Sequence, residues 1–518
     1  MHAWSAHEAS SLVTSKARGV LVAGGAVVFA LFVNAFTPVN FDLGWMLAFG
    51  RDTVAHGALA RTNALSFTEP RHPVALYEWG ACLAAYLLHA RWGAAGVIAL
   101  KWSLLVVAML GVAACVRRVT ASALVQFVTL FGVASVSWIS FELVRAQLAT
   151  YALLPLVVLA ALRGDRRSLW SCVPIFALWT NLHGGFLAGL AVLAALCGAL
   201  WLERRVAPEQ APGAPGALEL AGVVVASLAA CALNPEGPRI VTDTFRCATD
   251  PTNAFNLEWL PLLRTGTPHA TFELVGGVLV AASAVLAFAL LPWRRVRLWA
   301  LVAIAVATSL SANRHLRIAP ILLAPAVALA FERARARAGA ALARLESLVP
   351  VVAAAVALPC AALFAANFAA ETRFVETDLP TPAAALAVIR MNGLFGRTWN
   401  AFNFGGMLLW AVPESPVSCD GRHVMAYSPR MVTACVLMSS MTDDPMPMLE
   451  HFKAELLLLE PQSPALARAE ASGKFRRIYC DRAACLLSSK PEHWKPLRLP
   501  PERFGAAALF DEPLPPAL

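Results

Sequence analysis

The first 370 residues alternate between long uncharged stretches and short polar links, and every second link is rich in arginine. Short cytoplasmic loops of membrane proteins retain Lys and Arg. The alternation therefore predicts a polytopic membrane domain with its N-terminus and all the basic links in the cytoplasm. These links contain Lys16, Arg18, Arg117, Arg118, Arg163, Arg166, Arg167, Arg204, Arg205, Arg294, Arg295, Arg297, Arg333, Arg335, Arg337 and Arg344.

A helix of about 20 apolar residues crosses the roughly 30 Å hydrocarbon core of a bilayer. Residues 77–90 are apolar but short, and counting them as a span would place Arg117 and Arg118 outside. We therefore predict that they form a helix in the outer interface. The predicted spans, about eleven, lie near 19–38, 95–115, 120–140, 146–162, 169–182, 184–202, 217–233, 273–292, 298–312, 318–331 and 347–366.

An odd number of spans places the two termini on opposite sides of the membrane. After residue 370 the composition changes to strand-length apolar runs that alternate with helix-like segments. The sequence thus predicts an all-α polytopic membrane domain over 1–370, with its first outer loop at 39–93. A small periplasmic α/β domain follows over 371–518 and ends in an irregular Pro-rich tail. The predicted location is the bacterial inner membrane.

The composition supports this class and excludes others. Of the 518 residues, 58% are hydrophobic and 14% are charged, whereas a soluble protein carries about 25% charged residues. The net charge of +9 lies mostly in short loops, so orientation in the membrane explains it and no nucleic-acid partner is predicted. The eleven cysteines include no CxxC pair. Cys480 and Cys485 lie on the predicted oxidising side, and their pairing is left open.

The distinctive polar residues fall in the outer links. Asp42 directly follows the first span, at the depth where an enzyme that joins a soluble acceptor to a lipid-linked donor needs a base. Alternatively, Asp42 caps an interfacial helix. His183, at the outer end of a span, could donate to a phosphate or a sugar hydroxyl or simply mark a helix break. Arg314 and His315 suit a lipid phosphate or reach the head groups.

The remaining candidates have equally plain alternatives. Arg145 is three residues from Glu142 on one helical face, so the two could pair with each other. The segments around Asn403 and Asp420–Arg422 belong to the C-terminal domain, where internal structure competes with acceptor binding. No P-loop, Rossmann fingerprint, HExxH or GxSxG motif occurs. The sequence therefore does not support an ATP-driven, redox or hydrolase function.

The first outer loop resembles that of GT-C-type integral membrane glycosyltransferases. It is most similar to a bacterial group of glycosyltransferase-like membrane proteins whose loop reads approximately DxDxWWHLxxGRxIxxxGxxPxxDPFSxT, then EWL. Later segments match in order: WTNLHGGFLAGL, LNPEGPRI, NLEWLPL, NRHLRIAP and GRTWNAFNFGGMLLWAVPESPVSCDGR. The positions that match in the first loop are Asp42, Trp45, Gly50, Arg51, Gly57, Arg61, Ser66, Thr68, Glu78 and Trp79.

The resemblance implies an inverting transferase that moves a sugar from a polyprenyl-phosphate donor to an envelope glycan, lipid or protein. The implied base is Asp42. The predicted phosphate-binding residues are Arg314, His315 and Arg145; the predicted pocket residues are Glu78, His183, Asn181, Glu258 and Arg51; and the predicted acceptor-binding residues are Asp420, Arg422 and Asn403.

This chain also departs from the group's pattern. Asn40 stands where the first acid of DxD is usual, Met46 replaces the His, and Asn63 replaces a later Asp. The loss of two acids argues against a divalent metal, since a hard cation needs several oxygen ligands; no metal site or cofactor is predicted. The departures also keep open a second hypothesis, a non-catalytic envelope-assembly or binding protein. A transporter is less favoured, because paired broken helices and mid-membrane charges are lacking.

Overall fold

The computed structural model of the chain describes residues 6–264, 270–376, 379–440, 443–501 and 504–511. The fold class predicted from the sequence is confirmed: the described chain is mostly helical, with a small sheet near its C-terminus. The helices of the first 371 residues are α1 (Ala6–Val33), α2 (Phe41–His56), α3 (Trp79–Val119), α4 (Ala123–Ser135), α5 (Trp138–Phe141), α6 (Leu148–Arg163), α7 (Arg166–Trp170), α8 (Cys172–Trp179), α9 (Phe186–Val206), α10 (Ala217–Ala230), α11 (Arg239–Thr249), α12 (Thr271–Leu290), α13 (Val296–Ser311), α14 (Ala319–Ala338), α15 (Ala340–Ala366) and α16 (Phe368–Glu371).

Each predicted span overlaps one of these helices or a pair of consecutive ones. Several helices are shorter than a full span, such as the 16 residues of α6, which rise about 24 Å. The number of membrane crossings therefore stays a prediction. Within the described residues, six helical segments are long and apolar enough to cross a membrane: Lys16–Val33, Trp79–Val119, Ala123–Phe141, Phe186–Val206, Thr271–Leu290 and Leu345–Ala366.

The long helix α3 consists of two arms that meet at Gly93. Gly93 has φ 59° and ψ −146°, a conformation open to glycine and strained for other residues. The bend is sharp, because a Cβ on Gly96 would lie 2.3 Å from the carbonyl oxygen of Leu88. The segment 79–92 is thus a helix with its own direction, and its location in the outer interface stays a prediction.

The C-terminal domain contains a mixed four-stranded sheet with the order β1–β2–β4–β3. Strand β2 pairs in parallel with β1 and antiparallel with β4, which pairs antiparallel with β3. The elements in chain order are α17 (Ala383–Met391), β1 (Thr398–Asn400), α18 (Gly405–Ala411), α19 (Pro429–Met438), α20 (Met446–His451), β2 (Leu456–Leu459), α21 (Pro464–Ala471), β3 (Arg476–Cys480) and β4 (Cys485–Ser488).

The β3–β4 hairpin is closed by a disulfide between Cys480 and Cys485, which resolves the pairing that the sequence left open. After β4 the chain has no further strand or α-helix up to residue 511 in the parts that are described, and Phe510 packs in the core. Residues 512–518 of the predicted irregular tail lie outside the described residues.

The first outer loop and the C-terminal domain share one hydrophobic core. Helices α2 and α18 cross with their backbones in contact, since a Cβ on Gly44 would lie 2.3 Å from the carbonyl oxygen of Gly406. Arg51 of α2 donates hydrogen bonds to the carbonyl oxygens of Trp410 (3.0 Å) and Leu409 (2.6 Å) at the end of α18. The apolar spans form a second core of their own. The C-terminal domain is therefore packed directly on the first outer loop and on the helix ends beside it.

Candidate functional site

A cavity of ≈ 880 Å³ lies between the C-terminal domain and the helix ends next to it. Its wall combines the start of α2, the links that follow α5, α8 and α11, the turn before α14, and the loop after α18. The polar residues predicted from the sequence that line it are Asp42, Glu78, Arg145, His183, Glu258, Arg314, His315, Asn403 and Arg422.

Asp42 lies in the first turn of α2 and opens into this cavity, with 30% of its side chain exposed. The helix is capped by Asn40, whose side chain accepts from the backbone N–H groups of Asp42 and Leu43, so Asp42 is not the N-cap. Trp45 Nε1 donates to Asp42 Oδ1 (3.1 Å), and Arg145 Nε lies 3.0 Å from Oδ2. Both carboxylate oxygens are therefore oriented, and each can accept a further hydrogen bond.

Arg145 belongs to a row of alternating charges and is not paired with Glu142 as the sequence allowed. Its Nη1 donates to Glu258 Oε1 (2.9 Å), and Arg317 Nη2 donates to the same oxygen (2.9 Å). Burial opposes ionisation of Glu258, but the neighbouring arginines outweigh it and lower the pKa of Glu258 to about 2. Asp42, Arg145, Glu258 and Arg317 thus neutralise one another.

Arg314 differs from these arginines. Its guanidinium lies over the ring of Trp259, 4.2 Å from the ring centroid, a cation–π contact. Among the described residues it has no hydrogen bond and no ion pair. Arg314 is therefore a cation of the cavity wall whose donors are available to an anion.

His315 also lines the cavity, but its ring is engaged. Its Nδ1 lies 3.1 Å from the carbonyl oxygen of Thr308, which can only accept, so Nδ1 carries a proton. Burial lowers the pKa of His315, which leaves Nε2 an acceptor in the neutral ring. This arrangement does not favour His315 as the phosphate ligand that the sequence predicted.

His183 is the opposite tautomer to His315, with its proton on Nε2 and not on Nδ1. Its Nδ1 accepts from the backbone N–H of Gly185 (3.0 Å), and the hydroxyl of Thr150 lies 2.8 Å from the same nitrogen. Burial and the charge of Arg314 lower the pKa of His183 to about 3, so the neutral ring carries its proton on Nε2. A Cβ on Gly185 would lie 2.2 Å from Thr150 Oγ1, which explains why glycine occupies this position.

Three of the predicted site residues do not line the cavity. Arg51 holds α18 as described above. Asn181 accepts from Trp79 Nε1 (2.7 Å) and connects the outer loop to the end of α8. Asp420 is fully buried and accepts two hydrogen bonds from the Arg422 guanidinium, at 2.8 and 2.7 Å. These residues hold together the elements that carry the site, and Asp420 neutralises Arg422.

Other contributors were not predicted as site residues. Thr150 lies within an apolar run and gave no sequence signal, whereas Trp45 and Trp259 stand in matching motifs but carried no assigned role. Gly421 approaches the carboxylate closely, since a Cβ there would lie 2.8 Å from Asp42 Oδ1. Arg317 stands in the matching segment NRHLRIAP but carried no assigned role. Within the described chain, no group of three or more His, Cys, Asp or Glu residues is placed to hold a metal ion.

The sequence matches no family model and no curated protein. Its structure is similar to that of the archaeal oligosaccharyltransferase AglB from Archaeoglobus fulgidus, in complex with an inhibitory peptide and a dolichol-phosphate. The identity is 12%, the TM-score is 0.57, and the match covers 85% of this chain and 69% of AglB. It is also similar to ArnT from Cupriavidus metallidurans in the apo state, with 15% identity, a TM-score of 0.50 and coverage of 94% and 99%.

The chain has a GT-C fold. The fold expected from the resemblance of the first outer loop is thereby confirmed. Membership of the bacterial group stays a prediction. With this fold, the cavity around Asp42 and Arg314 is the strongest candidate for a functional site.

Proposed function

We propose that this GT-C protein is a membrane glycosyltransferase that moves a sugar from a polyprenyl-phosphate donor to an envelope acceptor on the periplasmic face. The observation that carries the proposal is that one cavity contains both a potential base and a potential phosphate ligand. The same space is lined by an oriented carboxylate, Asp42, and by Arg314, which forms no ion pair with any described residue. Transfer from a lipid phosphate needs a base for the acceptor and a cation for the leaving group.

In the proposed reaction, an acceptor hydroxyl oxygen attacks the anomeric carbon of the donor sugar. The bond between that carbon and the phosphate oxygen breaks, and the electron pair leaves with the polyprenyl phosphate. Asp42 takes the hydroxyl proton, with its orientation fixed by Trp45 and Arg145. Arg314 neutralises the charge that develops on the phosphate. A single displacement of this kind inverts the anomeric centre.

Two further observations support a lipid-phosphate donor. AglB, which shares the fold, has been solved with a dolichol-phosphate. In this chain, the other cavity arginines are already neutralised: Arg145 by Asp42 and Glu258, and Arg422 by Asp420. Among these cavity arginines, Arg314 is therefore the one whose positive charge a donor phosphate would neutralise.

The first prediction separates the base from the phosphate ligand. Asp42→Asn keeps the shape and still accepts from Trp45, but it cannot take a proton at neutral pH. We expect transfer of sugar from a polyprenyl-phosphate donor to fall 10²–10⁴-fold, while polyprenyl phosphate binding stays within a few-fold of the unmodified protein. Arg314→Ala should instead weaken that binding. Purified protein in lipid nanodiscs would serve for both measurements.

The matched control for Arg314 is Arg246→Ala, an exposed arginine of α11 that does not line the cavity. It should change neither binding nor turnover. Full activity in a folded Asp42→Asn protein would contradict the assignment of the base.

A second candidate function is a non-catalytic envelope-assembly or binding protein. It is favoured by the ion pair between Asp42 and Arg145 and by Asn40, which serves as a helix cap in place of an acid. Under this alternative, the unmodified protein binds polyprenyl phosphate but shows no turnover with any envelope acceptor. The same nanodisc preparation distinguishes the two functions.

A further inference from the structure

Glu78 is another carboxyl group of the cavity, besides Asp42 and Glu258, and its surroundings differ from theirs. It immediately precedes α3, lines the cavity and has only 15% of its side chain exposed. Its side chain makes no cap hydrogen bond. Within the described residues its single ion-pair contact is His183 Nε2, 3.6 Å from Oε1. In the part of the chain that the structure describes, no arginine or lysine forms an ion pair within 4.0 Å that would compensate a buried negative charge there.

His183 cannot supply that compensation. Its Nδ1 accepts from the N–H of Gly185, so a proton on that nitrogen would break the contact. The ring is therefore neutral. A neutral Nε2–H is a dipole, and at 3.6 Å it is beyond ordinary hydrogen-bond length from Glu78. Burying a carboxylate without a cationic partner is costly, and such groups take up a proton instead.

The charged neighbours of Glu78 act in opposite directions. Burial raises the pKa of Glu78 to about 8, and the negative charge of Asp42 adds to this rise, whereas Arg314 and Arg145 act against it. The phenol of Tyr77, also in the cavity wall, is uncharged over the same pH range. At neutral pH Glu78 is therefore protonated, in contrast to Glu258 of the same cavity, which its neighbouring arginines keep ionised. Different environments for two neighbouring carboxyl groups commonly mark different roles.

We propose that Glu78 acts as an uncharged carboxylic acid that donates a hydrogen bond to the phosphate of the lipid donor beside Arg314. The inference rests on the proposed function, because it assigns a second ligand to the same phosphate. Arg314 attracts an anion to this part of the cavity, and an ionised Glu78 would repel it. A protonated Glu78 supplies an O–H donor to an anionic oxygen, which is among the stronger hydrogen bonds of proteins.

The proposal makes binding of the donor sensitive to the ionisation of Glu78. Below pH 8 the acid is protonated, and its hydrogen bond to the phosphate is present. As the pH rises through 8, Glu78 loses the proton, the hydrogen bond is lost and a like charge appears. We expect the affinity for polyprenyl phosphate to fall about tenfold or more between pH 7 and pH 9.5.

The test measures binding of polyprenyl phosphate to the full-length protein in nanodiscs at pH 7 and pH 9.5. Glu78→Gln keeps a neutral N–H donor, so its affinity should stay within a few-fold at pH 7 and should not fall at pH 9.5. Glu78→Ala should bind less tightly at both values. Any titration of the ligand itself affects all variants alike and cancels in the comparison. Glu209→Gln, which changes an exposed acid between α9 and α10, is the control and should keep the unmodified pH dependence.

Infrared difference spectra between the two pH values give a second readout that needs no ligand. The unmodified protein should lose a protonated carboxyl band that is missing from Glu78→Gln. The inference is overturned if that band is absent, or if Glu78→Gln binds polyprenyl phosphate with the same pH dependence as the unmodified protein. Polyprenyl phosphate binding that depends on Arg314 but is indifferent to Glu78 would overturn this inference alone. If polyprenyl phosphate does not bind at all, the proposed function fails with it.

Discussion

At the scale of single residues, Asp42 is positioned by contacts from three separate parts of the chain. Trp45 fixes one oxygen from the next turn of α2, and Arg145 fixes the other from the link after α5. Gly421, in the loop after α18, lies so close to the carboxylate that a Cβ there would be 2.8 Å from Asp42 Oδ1. A small displacement of a catalytic group costs much of its rate, so this third contact has a functional consequence.

Gly421→Ala tests that consequence. The added Cβ would lie 2.8 Å from Asp42 Oδ1 and 2.9 Å from Trp45 Nε1, so the carboxylate must shift. The backbone of Gly421 lies outside the left-handed region, which makes the effect steric. We expect turnover of a polyprenyl-phosphate sugar to fall roughly 10–100-fold, with little change in melting temperature.

Gly222→Ala is the control for this substitution, since a Cβ at that position of α10 meets nothing within 4 Å. It should leave turnover unchanged. If Gly421→Ala proves equally silent, then either Asp42 moves freely or it has no part in the reaction.

The residue types of the site were predictable from the sequence, but their contacts were not. Asp42, Arg314 and His183 could be selected because polar groups at outer helix ends are costly unless they meet partners or water. Arg51 was assigned to the pocket because its motif position matched. Its true partners, two carbonyl groups of α18, lie more than 350 positions away in sequence. Local sequence does not reveal that the C-terminal domain packs back onto α2.

At the scale of elements, the segment between α11 and α12 carries Glu258 and Trp259 into the cavity. Its short helix 257–259 begins at Asn256, whose side chain accepts from the N–H of Glu258 (2.9 Å). The carbonyl oxygen of Leu260 accepts from the N–H of Asn313 (3.0 Å), which ties the segment to the turn before α14. The segment therefore brings its acid between Arg145 and Arg317 and its aromatic ring under Arg314.

Glu258→Gln should destabilise this arrangement. It leaves two largely buried guanidinium groups without their shared carboxylate, and breaking a buried ion pair costs on the order of 3 kcal/mol. We expect a melting temperature several degrees lower at pH 7. Glu470→Gln, which breaks an exposed pair with Arg477, should cost less than about 1 kcal/mol.

The stability difference between the unmodified protein and Glu258→Gln should depend on pH in a defined direction. The pKa of Glu258 is lowered on folding, from an ordinary value near 4.3 to about 2. Its contribution to stability is therefore complete above about pH 5 and is lost as the pH falls from there through 2. The difference in melting temperature between the unmodified protein and Glu258→Gln should shrink over that interval. A difference that stays constant down to pH 2.5 would show that the ion pairs do not stabilise the segment.

At the scale of the whole molecule, the periodicity of charge and apolar length predicted the helices well, because a bilayer requires long uncharged helices. It did not predict the shared core of the first outer loop and the C-terminal domain, which the close approach of Gly44 and Gly406 makes possible. The disulfide between Cys480 and Cys485 agrees with an oxidising compartment for this domain, since such bonds persist outside the cytoplasm. The cavity then lies on the same side as the domain that covers it.

The orientation can be tested with reporter fusions. Because basic short loops remain inside, fusions after Arg118, Arg167, Arg205, Arg297 and Arg337 should report the cytoplasm. Fusions after Arg61, Gly185 and Arg430 should report the periplasm, where a lipid-linked donor in the outer leaflet would reach the cavity. Alkaline phosphatase and a cytoplasmic reporter at each position give opposite signals and control for expression. A cytoplasmic result at Arg430 would contradict the odd number of spans. The cavity would then face the inner leaflet, where a donor and acceptor on the periplasmic face could not meet.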